Sequence, residues 1–368
     1  MKWIDRQEPL DRELAGVASA QVVAVDTEAD SLHSYFDKVC LIQISVPGED
    51  LVVDPLAKVR LDRFGAILAD PSVTKILHGA DYDLRILHRD FGFTTANLID
   101  TMICAQLLGY EAFGLAALLD RHFGVKLDKS HQRADWSMRP LPPQMLDYAA
   151  MDTRYLIPLA EILRAELEAL GRWEWVAEEF ARLEMIRFRE TPEEEETWRK
   201  MKNLGSLDRR GLAVLRALHG WRDALARKAD RPPFKIIGND SLLEIASKKP
   251  VDMPSLAKLK SVSQYHRGRF GAEILGQVQQ AMAIPESDLP ERNEARPWMR
   301  DRELENRINK LKKVRDAVAA ELKIDPGVLA PRHVLTAVAE KASLEDIPAM
   351  RNWQRDVVGQ KLIDALKP

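Results

Sequence analysis

Val22-Val23-Ala24-Val25 runs directly into Asp26-Thr27-Glu28. A short apolar, β-branched run bounded by polar residues reads as a buried strand. Strand side chains alternate between faces, so Asp26 and Glu28 point the same way. Two carboxylates side by side repel each other unless a cation lies between them. Taken alone, the stretch reads more readily as a strand end meeting a polar loop. Residues further along the chain decide between the two.

The chain has 368 residues with 46% apolar content, enough for two or three domains with their own cores. It has no apolar run of membrane-spanning length. The opening Met1-Lys2-Trp3-Ile4-Asp5-Arg6 lacks the apolar segment of a signal peptide. Cys40 and Cys104, the two cysteines, lie in apolar contexts and read as buried free thiols. A reducing cytoplasm is the expected compartment. Net charge is −3 but uneven: residues 1–198 hold 21 Lys and Arg against 35 Asp and Glu, whereas residues 199–271 hold 17 against 6. An acidic half suited to cations is followed by a basic block suited to an anionic polymer.

Residues 22–28, 39–46 and 51–53 read as three strands, and their close spacing favours antiparallel pairing. Residues 59–69 carry a helical stripe, 74–78 a fourth strand and 81–90 a helix. The alternation implies an α/β domain on a mixed sheet. A second acidic spot, Gly79-Ala80-Asp81-Tyr82-Asp83, follows a strand and opens a helix. Here capping and chemistry explain the acids equally well. Asp100 reads as a cap for the helix at 101–109. His33, His78, His88 and His131 have no i, i+4 partner and read as surface or supporting residues. The third spot, Tyr148-Ala149-Ala150-Met151-Asp152, lies in a helix introduced by Pro142-Pro143. Tyr148 and Asp152 share one helix face.

The order of the three spots carries the weight. Asp26 and Glu28 stand on a first strand, Asp83 follows 55 residues after Glu28, and Tyr148 comes 65 residues after Asp83. This resembles the DEDD superfamily of 3′–5′ exonucleases in its tyrosine-bearing branch, and within it the ribonuclease D family. Leu41-Ile42-Gln43, Asp100-Thr101, Asp135-Trp136, Arg139-Pro140-Leu141 and Tyr148 through Leu156 all look like that family. The histidine branch would carry His where this chain has Asp147. The resemblance implies a ribonuclease H-like fold for a domain of residues 1–190. It also implies two divalent cations, Mg²⁺ or Mn²⁺, held by Asp26, Glu28, Asp83 and Asp152. Asp83 joins through water, and Tyr148 orients the attacking water. Hard oxygen ligands suit these ions. One departure is local: Ala29 stands where the family usually places a bulky residue that wedges the terminal nucleotide. Tyr35 or Phe36 is the candidate replacement.

A run of four glutamates, Glu193 to Glu196, leads to the basic block. A helix starts near Ser206-Leu207-Asp208, with Leu212, Leu215, Leu218, Trp221 and Leu225 as its stripe. Trp221-Arg222-Asp223-Ala224-Leu225 recurs as Val314-Arg315-Asp316-Ala317-Val318, an offset of 93 residues. Pro233 meets Pro326, Leu242 meets Leu335 and Ala246 meets Ala339 at the same offset. Residues 199–284 and 304–368 are therefore expected to be two copies of one small helical domain, with Pro285, Pro290 and Pro297 marking the linker. Both copies resemble the HRDC domain (helicase and ribonuclease D C-terminal). The first is the more basic, and its Lys235, Lys258, Lys260, Arg267 and Arg269 are candidate phosphate contacts.

The expected function is a metal-dependent 3′–5′ exoribonuclease that releases nucleoside 5′-monophosphates. By resemblance it trims structured RNA ends such as those of tRNA precursors. A DNA 3′–5′ exonuclease and a non-catalytic RNA-binding adaptor are the alternatives. The chain has no GxxxxGK loop, so no ATP-driven motor is expected.

Overall fold

The computed structural model describes residues 1–128, 130–189, 197–292, 301–345, 347 and 349–367. The glutamates 193–196 and Pro297 lie outside the described residues.

The chain forms two compact units, one of which is discontinuous in sequence. The first contains Met1–Ala29, Lys38–Phe188 and the C-terminal helices from Arg302 onward. Its centre is a six-stranded sheet in the order β1-β4-β3-β2-β5-β6. The strands are β1 (Lys2–Ile4), β2 (Val22–Ala29), β3 (Val39–Val46), β4 (Glu49–Val53), β5 (Thr74–Leu77) and β6 (Leu98–Asp100). β2, β3 and β4 pair antiparallel in sequence, as their spacing anticipates. β1 joins β4, β5 joins β2 and β6 joins β5, each in parallel. β1 and β6 are three residues each, too short for periodicity to reveal them.

Alternation along β2 assigns its side chains to two layers. Val23 and Val25 pack with α1 (Gln7–Ala18), α2 (Asp62–Ala69) and α3 (Asp81–Phe91). Ala24 faces α4 (Thr101–Leu108), α5 (Leu115–Phe123), α7 (Leu156–Ala169) and α8 (Trp173–Glu184). Asp26 and Glu28 continue the Ala24 face, and Thr27 continues the valine face. Beside them, α6 (Pro143–Arg154) lies over β3 and β4, with Met145, Ala149 and Ala150 against Leu41 and Val52.

The second unit contains Asp30–Asp37 and the first helical copy. That copy comprises α9 (Arg209–Ala229), α10 (Pro233–Ile236), α11 (Asn239–Lys248), α12 (Met253–Ala257) and α13 (Gln264–Met282). Asp208 caps α9 by accepting from Gly211, as the sequence suggests. The expected stripe is present, with Leu212, Leu215 and Leu218 buried.

The second copy begins with α14 (Arg302–Leu322), α15 (Pro326–Leu329) and α16 (Arg332–Lys341). Each helix lies 93 residues after its counterpart, with equal length. The residues ending the long helices, Asp230 and Lys323, are both left-handed. The chain finishes with α17 (Asn352–Gln354), a π-helical turn (Arg355–Gly359) and α18 (Gln360–Leu366).

Compactness groups these copies differently. The second shares one apolar core with the six-stranded sheet, running from Ala24 and Leu159 to Leu335 and Leu362. Arg172 donates to the carbonyls of Leu107 and Leu322 at 2.8 and 2.7 Å. Glu179 accepts from Arg351 and from Trp353 Nε1. Gly109 ends α4 at φ +85, and a Cβ there would stand 1.7 Å from the carbonyl oxygen of Lys323. Gly109→Ala is therefore expected to destabilise this unit by about 2 kcal/mol or more, through steric overlap added to left-handed strain. Urea denaturation followed by tryptophan fluorescence measures it. The unit holds Trp3, Trp136, Trp173, Trp175 and Trp353.

Candidate active site

The site is built at the end of β2. Asp26 lies opposite Gln43 and Glu28 opposite Leu41, and the pairing register shifts between Glu28 and Ala29. A bulge there bends the strand directly after the second carboxylate. From α6, one helical turn places Tyr148 and Asp152 on one face. Oxygens of Asp26, Glu28 and Asp152 all lie within 4.8 Å of one another.

Asp83 arrives from the other layer. The turn after β5 is pinned by Asp100, whose carboxylate accepts from the N–H groups of Gly79 and Ala80 at 3.0 and 2.8 Å. Asp100 also caps α4 through Met102 and Ile103, so it has the structural role expected of it. Asp81 is not the cap of α3: it sits in the first turn, exposed, and pairs with Arg85 at 2.7 Å. Asp83 is buried and accepts a hydrogen bond from the Thr27 hydroxyl. Thr27 is a site residue that the DxE pattern hides, because its role comes from pointing to the opposite face.

The loop before α6 is fixed by Arg139, which clamps Asp54 with two 2.7 Å bonds and donates to the carbonyls of Cys40 and Trp136. This seats Trp136 with its ring centroid 6.0 Å from that of Tyr148. Gln132 hydrogen-bonds the Tyr148 hydroxyl. Tyr148, Asp152, Gln132, His78 and Leu115 line an open cleft of about 480 Å³. Neither Gln132 nor His78 stands out in sequence, since each lacks a second motif residue at helical spacing.

Burial pushes every carboxyl of the cluster upward. Asp26 lies well above the usual range through burial and then the charges of Asp83, Asp152 and Glu28. Glu28 rises to about 9 through burial and then Asp152 and Asp83. Burial raises Asp152 to about 7 and Asp83 to about 6, the latter against the opposing Thr27 hydrogen bond. Burial and then the charges of Asp152, Glu28 and Asp26 push Tyr148 far above an ordinary phenol, so it stays protonated at neutral pH. Four acids that cannot ionise together without added positive charge fit a divalent cation, and all their donors are hard oxygens. Gln43, fully buried across from Asp26, has no hydrogen-bond partner at either amide atom among the described residues. That orphaned amide marks polar space beside the cluster.

In the helical unit, Lys235, Lys258, Lys260 and Arg269 are exposed. Lys235 Nζ lies 3.1 Å from His33 Nδ1. Arg267 is half-buried and donates to the carbonyl of Val262, so it is partly committed to its own fold. Of the two candidate aromatics for the surface after Ala29, Tyr35 is engaged by Asp223 at 2.9 Å and lies under Arg227. Phe36 is exposed.

A 3′–5′ exonuclease family model matches residues 1–168, and an HRDC domain model matches residues 211–278. A ribonuclease D from Granulibacter bethesdensis is 34% identical over 352 residues, covering 94% of this chain and 87% of its own. A crystal structure of a protein from Bifidobacterium adolescentis superposes with a TM-score of 0.85 at 27% identity, covering 100% of this chain and 97% of that one. Escherichia coli RNase D, an exoribonuclease involved in structured RNA processing, superposes with a TM-score of 0.73 at 28% identity, covering 99% and 98%. Fold and relatives together define a hydrolase, a 3′–5′ exoribonuclease with a helical HRDC domain. The chain belongs to the ribonuclease D family. The HRDC match covers the first helical copy alone. Among the described residues no helix is long and apolar enough to cross a membrane.

The raised carboxyls make stability depend on pH. They bind protons more tightly folded than unfolded, so their contribution is full below about pH 4. It is lost as pH climbs through 6 for Asp83, 7 for Asp152 and 9 for Glu28. Thermal melts in EDTA should therefore show a midpoint falling from pH 5 to pH 8. Added Mn²⁺ should raise the midpoint more at pH 8 than at pH 5, because it binds the ionised cluster.

Proposed function

We propose that this chain is a metal-dependent exoribonuclease of the tyrosine-bearing DEDD branch. It removes nucleoside 5′-monophosphates one at a time from the 3′ ends of structured RNAs, tRNA precursors among them, in the cytoplasm. The observation that carries this reading is the convergence of Asp26, Glu28 and Asp152 within 4.8 Å, with Tyr148 one turn from Asp152 on the same helix face.

Asp26, Glu28 and Asp152 would hold one Mg²⁺ or Mn²⁺. Asp26 would reach the second, and Asp83 would act through intervening water. When bound, the ions supply positive charge that eases deprotonation of the attacking water and stabilises the leaving oxygen. The carboxylates' own charges repel phosphate, so RNA affinity at the site depends on that loading. Tyr148 keeps its proton and serves to orient the water rather than to deprotonate it. Gln132 and the Trp136 ring hold its phenol in place.

The helical unit supplies RNA affinity through Lys235, Lys258, Lys260, Arg267 and Arg269. We also read the second helical copy as HRDC-like. Its first three helices repeat those of the first copy at a constant offset, and its role is to complete the core of the catalytic unit.

Gel time courses on a 3′-extended tRNA and on a matched single-stranded DNA test this proposal, with Mg²⁺, Mn²⁺ or EDTA. The wild type should shorten the RNA by single nucleotides. EDTA and Asp152→Ala should abolish this, and Tyr148→Phe should slow it about 100-fold. Preference for the DNA would point to a DNA exonuclease, and RNA binding without cleavage under any metal to an adaptor. Lys258→Ala and Lys260→Ala should each weaken RNA binding and reduce the log–log salt slope by about 1.

A further inference from the structure

His78 lines the same cleft as Tyr148 and Asp152 but has no part in the chemistry above. Its buried side is fixed by a short hydrogen-bond chain. Thr101 Oγ1 lies 3.1 Å from the carbonyl of Leu77 and 2.9 Å from His78 Nδ1. A carbonyl can only accept, so the single hydroxyl hydrogen of Thr101 goes to Leu77. The Thr101 oxygen must then accept from His78, which places the ring proton on Nδ1. Burial lowers the imidazole below its usual value, against the opposing charge of Asp100, and keeps it neutral. The other ring nitrogen, Nε2, is therefore a bare acceptor.

The mounting of the ring is rigid. Gly79 turns the chain at φ +74, and Asp100 holds the N–H groups of Gly79 and Ala80. Among the described residues no protein group donates to Nε2, and this atom is not sealed from solvent. The structure thus presents a pre-oriented acceptor to whatever occupies the cleft.

Near the scissile bond an RNA strand offers few donors that do not depend on sequence. Phosphate oxygens only accept, and base edges differ among the four nucleotides an exonuclease must process. Ribose hydroxyls remain, and of these the 2′-hydroxyl separates RNA from DNA. We propose that His78 Nε2 accepts a hydrogen bond from the 2′-hydroxyl of a ribose flanking the scissile phosphate, making His78 a specificity-determining residue. The proposal rests on the exoribonuclease reading.

The test uses full-length, metal-loaded protein and three otherwise identical oligoribonucleotides. One is all-ribo, one carries a single 2′-deoxy sugar at the 3′-terminal nucleotide, and one carries it at the penultimate nucleotide. Initial rates of the first cleavage are compared for wild type, His78→Asn and His78→Gln. Asn can keep the bond to Thr101 while removing the cleft-facing acceptor, and Gln can restore an oxygen near the Nε2 position. The wild type should lose roughly 3- to 10-fold on one deoxy oligomer, which identifies the ribose. His78→Asn should erase that difference by slowing the two oligomers that keep the recognised hydroxyl and leaving the third unchanged, and His78→Gln should recover part of it. A wild type indifferent to both deoxy substitutions overturns the proposal. So does an Asn variant that slows all three oligomers equally, which is the signature of a merely structural histidine. A wild type that shortens no RNA at all overturns the exoribonuclease reading, and the hydroxyl assignment falls with it.

Discussion

Mutual repulsion among Asp26, Glu28, Asp83 and Asp152 is the constraint around which the catalytic unit is arranged. Each is carried by an element that would be as stable, or more so, with an apolar residue in its place. The surrounding structure tolerates the cost because the cluster sits where three elements end or begin: the bulged end of β2, the first turn of α3 and the last turn of α6. The supporting bonds are strong and local. Arg139 clamps Asp54 beneath the loop before α6, and Asp100 pins the turn before α3. Neither anchor is a member of the cluster. Both hold backbone against which the acids cannot move apart.

Much of this was legible in sequence because it derives from periods of two and of 3.6. The valines before Asp26 identify β2, and alternation alone puts Asp26 and Glu28 together. The proline pair before α6 and the i, i+4 spacing of Tyr148 and Asp152 give the helix face. The joining of these faces in space could come only from family resemblance, since no local pattern says that α6 lies beside β2. The contacts of Thr27, Gln43 and His78 are hidden for a different reason. Their surroundings are set by cross-strand pairing or by a single tertiary hydrogen bond, neither of which leaves a periodic trace. β1 and α1 leave weak signals, because a three-residue edge strand and a helix with only Leu10, Leu14 and Val17 inward carry little periodicity.

The repeated helical copies show one scaffold in two environments. Ile236 and Leu329 are equivalent and both buried, as are Leu242 and Leu335. The divergence lies at the junction after the long helix. Arg231 and Lys235 of the first copy are exposed, whereas their equivalents, Ile324 and Val328, pack into the core of the catalytic unit. Comparing the two copies in sequence reveals the shared backbone through constant spacing. It does not reveal the assignment of the second copy to the catalytic core, which depends on an outward face turned apolar.

That assignment has a consequence for biosynthesis. The core containing Ala24, Leu159 and Phe180 also contains Leu335 and Leu362, with the whole first helical copy intervening in sequence. At roughly 5–20 residues per second, the ribosome needs about 10–40 s to pass from Phe180 to Leu362. During that interval the sheet-flanking helices have no partner for part of their apolar surface, while the intervening helical unit gains its full sequence before Leu362 is made. The nascent chain is thus expected to mature out of order, with its middle completed before its beginning, and the catalytic unit closing only as the last helices leave the exit tunnel.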